Sequence, residues 1–134
     1  MKKVRIMIVD DSARFTSAAA EYLSALDGVD VLACASSGEA ATQRAEVERP
    51  DLVLTDLMMP GMNGLEVTRI MKRMRPAPKV VVVSMMDALS YAEEARLAGA
   101  DEFLSKARLS VELVPLIERL FGAELAHDSA GGRT

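Results

Sequence analysis

The sequence predicts an α/β fold: a single doubly wound domain whose five-stranded parallel sheet carries helices on both faces. Three observations predict it. Short β-branched runs occur five times along the chain, and the stretches between them carry helical spacing or helix punctuation. Regular alternation of this kind imposes right-handed crossovers, and therefore parallel strands. The 134 residues amount to one domain, long enough to bury a core without disulfide or metal staples.

The first strand is Val4–Val9, an apolar run that ends in Asp10-Asp11. In the helix after it, Phe15, Ala18, Ala19, Tyr22, Leu23 and Leu26 recur at three- and four-residue steps, with Ser12 or Asp11 as its cap. The second strand is Val29–Ala35; Ser36 or Ser37 caps the next helix and Pro50 closes it. Leu52–Thr55 forms the third strand and ends at Asp56. The third helix carries Val67, Ile70, Met71 and Met74, and Pro76 and Pro78 end it. Val80–Ser84 is the fourth strand. The fourth helix stops at Gly99, suited to a left-handed terminal residue. Glu102–Leu104 is the fifth strand, and Leu113, Leu116, Ile117 and Leu120 form the buried stripe of the last helix.

Half of the residues are hydrophobic and 27% are charged, as in ordinary soluble proteins. A net charge of −4 gives no reason to expect direct nucleic-acid binding. Cys34 is the one cysteine and reads as a buried small hydrophobe. Met1-Lys2-Lys3 leads into a run too short for a signal-peptide core or a membrane span, so a cytoplasmic location is expected. Residues 1–122 read as the domain. Residues 123–134 read as a flexible tail or the start of a linker.

Ligands of open parallel sheets bind outside the carboxyl ends of the strands, where strand order reverses. Asp10, Asp11, Asp56, Ser84 and Lys106 all fall at that rim. Taken singly, Asp10-Asp11 would be a helix cap, Lys106 a surface lysine, Ser84 a strand-end hydroxyl and Phe103 core packing. Their coincidence at one rim favours chemistry. Three converging carboxylates repel one another unless a hard divalent cation neutralises them, and Mg²⁺ suits oxygen ligands. His127 lies in the tail without a helical setting. Lys72, Arg73, Arg75 and Lys79 read as the solvated end of the third helix, where cations suit the dipole. Of the nine methionines, Met7, Met71 and Met74 read as core; Met58, Met62, Met85 and Met86 fall in loops around the acidic rim.

Val9-Asp10-Asp11-Ser12, the stretch from Asp51 to Gly64 with Asp56-Leu57-Met58-Met59-Pro60-Gly61-Met62-Asn63-Gly64, Val83-Ser84, and Gly99 to Lys106 together resemble the receiver domain of bacterial two-component response regulators, in the chemotaxis-regulator-like superfamily. The resemblance covers Met1 to Gly122. It implies a flavodoxin-like (βα)5 fold with strand order 2-1-3-4-5. It further implies that Asp56 accepts a phosphoryl group from a histidine kinase or phosphotransfer protein, with Mg²⁺ held by Asp10, Asp11, Asp56 and the Met58 carbonyl. Lys106 takes the place of the conserved lysine, Ser84 of the switch hydroxyl and Phe103 of the switch aromatic. The surface of the fourth helix, fifth strand and last helix would then change, controlling a partner, a fused output domain or a homodimer. In this reading the chain is an enzyme only toward its own phosphorylation and dephosphorylation.

Several positions depart from the family pattern. Ala107 follows Lys106 where proline is common, so a cis bond is not expected there. Ser84 replaces the commoner threonine. Met85 is bulkier than the usual small residue and would narrow access to Asp56. Met58 and Met86 stand where receivers often flank the attacking water; thioethers cannot orient water, so slow phosphoryl loss is expected. Val111, Val114 and Phe121 extend the apolar arc of the last helix toward a flank expected to be exposed and to bind a partner or second copy.

Other classes fit less well. A haloacid-dehalogenase-type phosphatase wants an Asp-x-Asp pattern after the first strand and a cap insertion, and here the acids are adjacent. A flavodoxin proper would need a hydroxyl- and glycine-rich phosphate loop after that strand. A phosphorylation-independent interaction module would not need the complete acidic set. The residues past Gly122 are too few for a helix-turn-helix output domain, which leaves a stand-alone receiver or the receiver half of a longer regulator, of the texture that precedes DNA-binding domains.

Overall fold

The computed structural model describes residues 3–85 and 88–122. Five strands, β1 (Val4–Val9), β2 (Val29–Ala35), β3 (Leu52–Asp56), β4 (Lys79–Ser84) and β5 (Glu102–Ser105), pair in parallel in the order β2-β1-β3-β4-β5. Five α-helices alternate with them: α1 (Ala13–Ser24), α2 (Gly38–Glu48), α3 (Gly64–Met71), α4 (Ala88–Ala98) and α5 (Leu109–Phe121). A 3-10 turn, Lys106–Arg108, precedes α5. The predicted fold class and strand order are those observed, and three strands run one residue longer at one end than the sequence suggested. No helix among the described residues is long and apolar enough to cross a membrane.

Strand alternation sorts the core into two layers. Ile6, Ile8, Leu52, Leu54, Val81, Val83 and Leu104 face one side, where they meet Ala19 and Leu23 of α1 and Leu113, Leu116 and Ile117 of α5. Met7, Val9, Val53, Val80 and Val82 face the other, against Ala41 and Ala45 of α2, Val67 and Met71 of α3 and Ala95 of α4. Each fully buried aliphatic side chain contributes about 1.5–3 kcal/mol, so β1 and β3, covered on both faces, anchor the fold. Asp10 follows directly on β1, and Asp56 is the last residue of β3.

Side chains cap the amino-terminal ends of α1, α2 and α3. Ser12 Oγ accepts from Phe15 N at 3.2 Å, and Ser37 Oγ from Ala40 N at 3.1 Å. Asn63 and Glu66 form a reciprocal capping box at α3. Gly99 ends α4 at φ +105°, the conformation expected of it. Pro115 lies inside α5, which continues through it.

Several residues sit otherwise than the sequence suggested. Cys34 is exposed, because β2 is an edge strand and α1 reaches it only at the margin, with Thr16 O 3.9 Å from Sγ. Ala18 and Tyr22 are also exposed. The Tyr22 hydroxyl donates to Ser110 O at 3.1 Å, laying the ring across the surface between α1 and α5. Phe121 is half-buried against the α1/α5-side core, not part of an exposed flank. Lys72 is no solvated dipole partner: its ammonium donates to Pro78 O at 2.8 Å and pairs with Asp101 at 2.9 Å. The tail from 123, with His127, and the Met86 side chain lie outside the described residues.

Candidate functional site

Register brings the acidic residues together. Val9 pairs with Thr55, so the next residues along, Asp10 and Asp56, end adjacent strands at one level. Leu54 and Asp56 share one strand face, Leu104 and Lys106 fall two apart on β5 and beyond, and all project toward the α1/α5 side. One ligand oxygen from each of Asp10, Asp11 and Asp56 lies within 4.8 Å of the other two. Asp10 is buried, Asp56 is 8% exposed, and Asp11 stands in solvent.

Lys106 Nζ reaches Asp10 Oδ2 at 2.7 Å and Asp56 Oδ1 at 3.7 Å. Asp10 Oδ1 accepts from Ser12 N at 2.8 Å. Asp10 Oδ2, by contrast, is buried and meets no hydrogen-bond donor in good geometry among the described residues, though the Lys106 ammonium pairs with it. Burial first, then the neighbouring Asp10 charge, push the Asp56 carboxyl up to about 6, against the opposing pull of Lys106 and the Leu57 amide, with Asp11 adding a smaller upward push. A cluster so short of positive charge, built of hard oxygen donors, fits a small divalent cation such as Mg²⁺.

The loop after β3 is held close to this cluster. Gly64 N donates to Leu57 O at 2.8 Å, and a Cβ on Gly64 would fall 2.2 Å from the Asp56 carbonyl oxygen. Only glycine permits that approach. Met58, two residues past Asp56, turns its side chain outward and is 58% exposed. Met85 is 78% exposed, so its thioether stands out in solvent at the rim.

Ser84 is buried, and it shares strand parity with Val80 and Val82, on the α3/α4 side of the sheet. Phe103 pairs with Val82 and is half-buried against the same layer. Two clefts flank Phe103. One, of about 260 Å³, runs along α4 past Ala92, Ala95 and Arg96; the other, of about 360 Å³, runs along α5 past Val111, Pro115 and Arg119. Sequence reasoning missed Phe15 at this site: the Lys106 ammonium lies over its ring, 4.3 Å from the centroid. The helical stripe placed Phe15 only in the core, and nothing in the spacing of Phe15 and Lys106 could have joined them. The bond from Lys106 to Ala107 is not among the cis peptides; Arg75–Pro76 is cis.

Residues 6–118 match the family model described as the response regulator receiver domain. Response regulator GacA of Pseudomonas viridiflava is 33% identical over 121 residues, which take in 90% of this chain and 56% of that protein. Protein-glutamate methylesterase/protein-glutamine glutaminase 2 of Rhodospirillum rubrum is 32% identical over 133 residues, or 98% of this chain and 37% of that one. The chain thus spans about half the length, or less, of these relatives. Among solved structures, the signal receiver domain of NarL from Mycobacterium tuberculosis superposes with a TM-score of 0.84 at 28% identity, covering 92% of this chain and all of that one.

Proposed function

This chain belongs to the response regulator receiver family, and from that premise we propose that it is a phosphorylation-dependent switch with Asp56 as the phosphoacceptor. The donor is a histidine kinase or phosphotransfer protein. The observation that carries this reading is the cluster itself: a carboxylate raised to about 6, at a strand end, flanked by two further carboxylates and one ammonium.

An Asp56 oxygen attacks the phosphorus of a phosphohistidine. A P–O bond forms, the P–N bond breaks, and its electron pair leaves with the imidazole. A carboxylate is a weak nucleophile toward an anionic phosphoryl group, so position and charge neutralisation must supply the rate. Its raised pKa makes Asp56 a stronger base than an ordinary aspartate, while leaving most of it ionised at neutral pH. Asp10, Asp11, Asp56 and the Met58 carbonyl would hold Mg²⁺, which when bound neutralises charge on the phosphoryl oxygens. Lys106, within reach of Asp56, meets another of those oxygens as a compact point charge.

The phosphorylated Asp56 presents new acceptor oxygens at its end of β3. Ser84 ends the adjacent strand, and its hydroxyl moves toward them. Phe103, on the same sheet face as Ser84, then repacks between the two clefts, changing the surface of α4, β5 and α5. That surface controls a partner, a fused output domain or a second copy. Shifting such an equilibrium from mostly off to mostly on takes about 5 kcal/mol of differential stabilisation.

The test is incubation with Mg²⁺ and acetyl phosphate followed by intact mass, with Asp56→Ala in parallel. A gain of one phosphoryl group by the wild type, absent from the variant, supports the switch. No gain by a folded protein that binds Mg²⁺ overturns it in favour of an interaction module that works without phosphate.

A further inference from the structure

We propose that Phe15 is a positioning residue for Lys106, its ring holding the ammonium at the mouth of the acidic cluster. The inference rests on the phosphoacceptor reading of Asp56 for its kinetic consequence, though not for its geometry. Lys106 Nζ lies 4.3 Å from the Phe15 ring centroid, inside the range of a cation–π contact.

The contact closes a circuit. Asp10 Oδ1 accepts from Ser12 N at 2.8 Å, and Ser12 Oγ accepts from Phe15 N at 3.2 Å. The Phe15 ring meets Lys106, and Lys106 returns to Asp10 Oδ2 at 2.7 Å. The first turn of α1 thereby fixes the ring relative to the carboxylate that Lys106 pairs with. The side chain is also half-buried against the α1/α5-side core, which limits its freedom to swing away. A leucine would serve that core as well. The aromatic face is what the ammonium uses.

The ring matters because Lys106 has competing partners. Asp10 holds it most closely, yet Asp10 is also a candidate cation ligand, and a cation there draws on the same carboxylate charge. As that charge is shared, the pull on Lys106 from Asp10 weakens. The quadrupole of the ring carries no net charge and competes for no cation. It keeps the ammonium on the α1 side, within reach of Asp56, when a strongly hydrated lysine head would otherwise swing into solvent.

The test compares wild type, Phe15→Leu and Phe15→Tyr, each checked for a cooperative thermal transition. The first readout is the NMR position of the Lys106 ε-methylene in the metal-free protein, assigned by its loss in Lys106→Arg. Ring current displaces it upfield in the wild type and in Phe15→Tyr, and it returns to the ordinary lysine position in Phe15→Leu. The second is the rate of phosphoryl uptake from acetyl phosphate at saturating Mg²⁺. Phe15→Leu slows uptake about threefold to tenfold, the range of one partly desolvated cation–π contact, and Phe15→Tyr restores it. Unchanged uptake in a folded Phe15→Leu overturns the inference. So does slowing that Phe15→Tyr shares, or slowing with the Lys106 signal unmoved, since either traces the effect to packing. A wild type that takes up no phosphoryl group overturns the phosphoacceptor reading, and the methylene signal then decides by itself where the ring holds the ammonium.

Discussion

Lys106 Nζ sits 2.7 Å from Asp10 Oδ2 and 3.7 Å from Asp56 Oδ1, so one ammonium serves two carboxylates unequally. Asp10, the nearer, is also the more deeply buried. Removing the ammonium therefore strands a buried charge before it touches the chemistry. At pH 8 without divalent cation, Lys106→Met is expected to lose about 3 kcal/mol of stability, as when one partner of a buried pair is deleted. Saturating Mg²⁺ returns part of that loss, because a cation replaces the missing charge. Urea unfolding with and without Mg²⁺ measures both. Phosphoryl uptake falls by roughly tenfold or more, the usual cost of losing one charge-stabilising group. Equal stability of the two proteins in the absence of Mg²⁺ would mean that Asp10 is not compensated by Lys106.

Asp56 titrates at about 6 in the folded protein, above the ordinary value of 3.8. The folded state therefore holds this proton more tightly than the unfolded chain does. Stability associated with it is fully present below pH 3.8 and is lost as pH rises through about 6. Asp56→Asn removes the penalty. The variant is expected to be more stable than wild type at pH 8 in the absence of Mg²⁺, by about 2 kcal/mol given a shift of this size and some residual solvation. The advantage shrinks toward pH 5, where wild-type Asp56 is largely protonated. Paired urea melts at the two pH values check it; an advantage that is the same at both would remove the titration of Asp56 as its cause.

The strands were legible because each is a short apolar run whose ends are marked by residues that cannot continue it. Asp56, Asp10 and Lys106 were legible for the same reason, since a parallel sheet carries the ends of its strands to one rim. What stayed hidden depended on contacts between elements remote in sequence. Cys34 reads as buried in a run of small apolar residues, yet an edge strand leaves it open. Phe15 reads as core, and only folding places Lys106 over its ring. Lys72 and Asp101 pair across 29 positions, and the same Asp101 oxygen accepts from Val80 N at 2.8 Å, tying the ends of α3, β4 and the turn before β5. No local pattern announces such a junction.

Met58 follows Asp56 by two residues and carries an exposed thioether at the rim. If Asp56 is the phosphoacceptor proposed above, a water attacking its phosphoryl group finds in the Met58 side chain no group that both donates and accepts a hydrogen bond. Met58→Asn supplies one, and it should shorten the phosphorylated lifetime by on the order of tenfold through positioning of that water. Because the side chain is largely in solvent, stability should change by no more than about 0.5 kcal/mol. Intact mass followed over time after removal of the donor gives the lifetime. The same decay in Met58→Asn and wild type would rule out this position as the brake.

Leu97 on α4 and Val111 on α5 are 71% and 66% exposed, and they stand on the two helices that border β5. Phe103 lines a cleft along each of these helices, and Val111 lines the one along α5. Phe121, by contrast, is half-buried against the core, so replacing it would mix loss of stability with loss of a surface. The clean probes are Leu97→Glu and Val111→Glu, which place a charge on an exposed apolar position at a cost within about 0.5 kcal/mol. Neither residue reaches the acidic cluster, and both variants should take up the phosphoryl group from acetyl phosphate as fast as wild type. The switch reading predicts their defect downstream of that step. Wild type treated with Mg²⁺ and acetyl phosphate should sediment as a larger species, while at least one variant stays monomeric under the same treatment. If all three associate equally, the α4–β5–α5 face is not the surface between copies, and its exposed apolar residues are left for a partner of another kind. If the variants also fail to become phosphorylated, the surface and the site are coupled more directly than through Ser84 and Phe103.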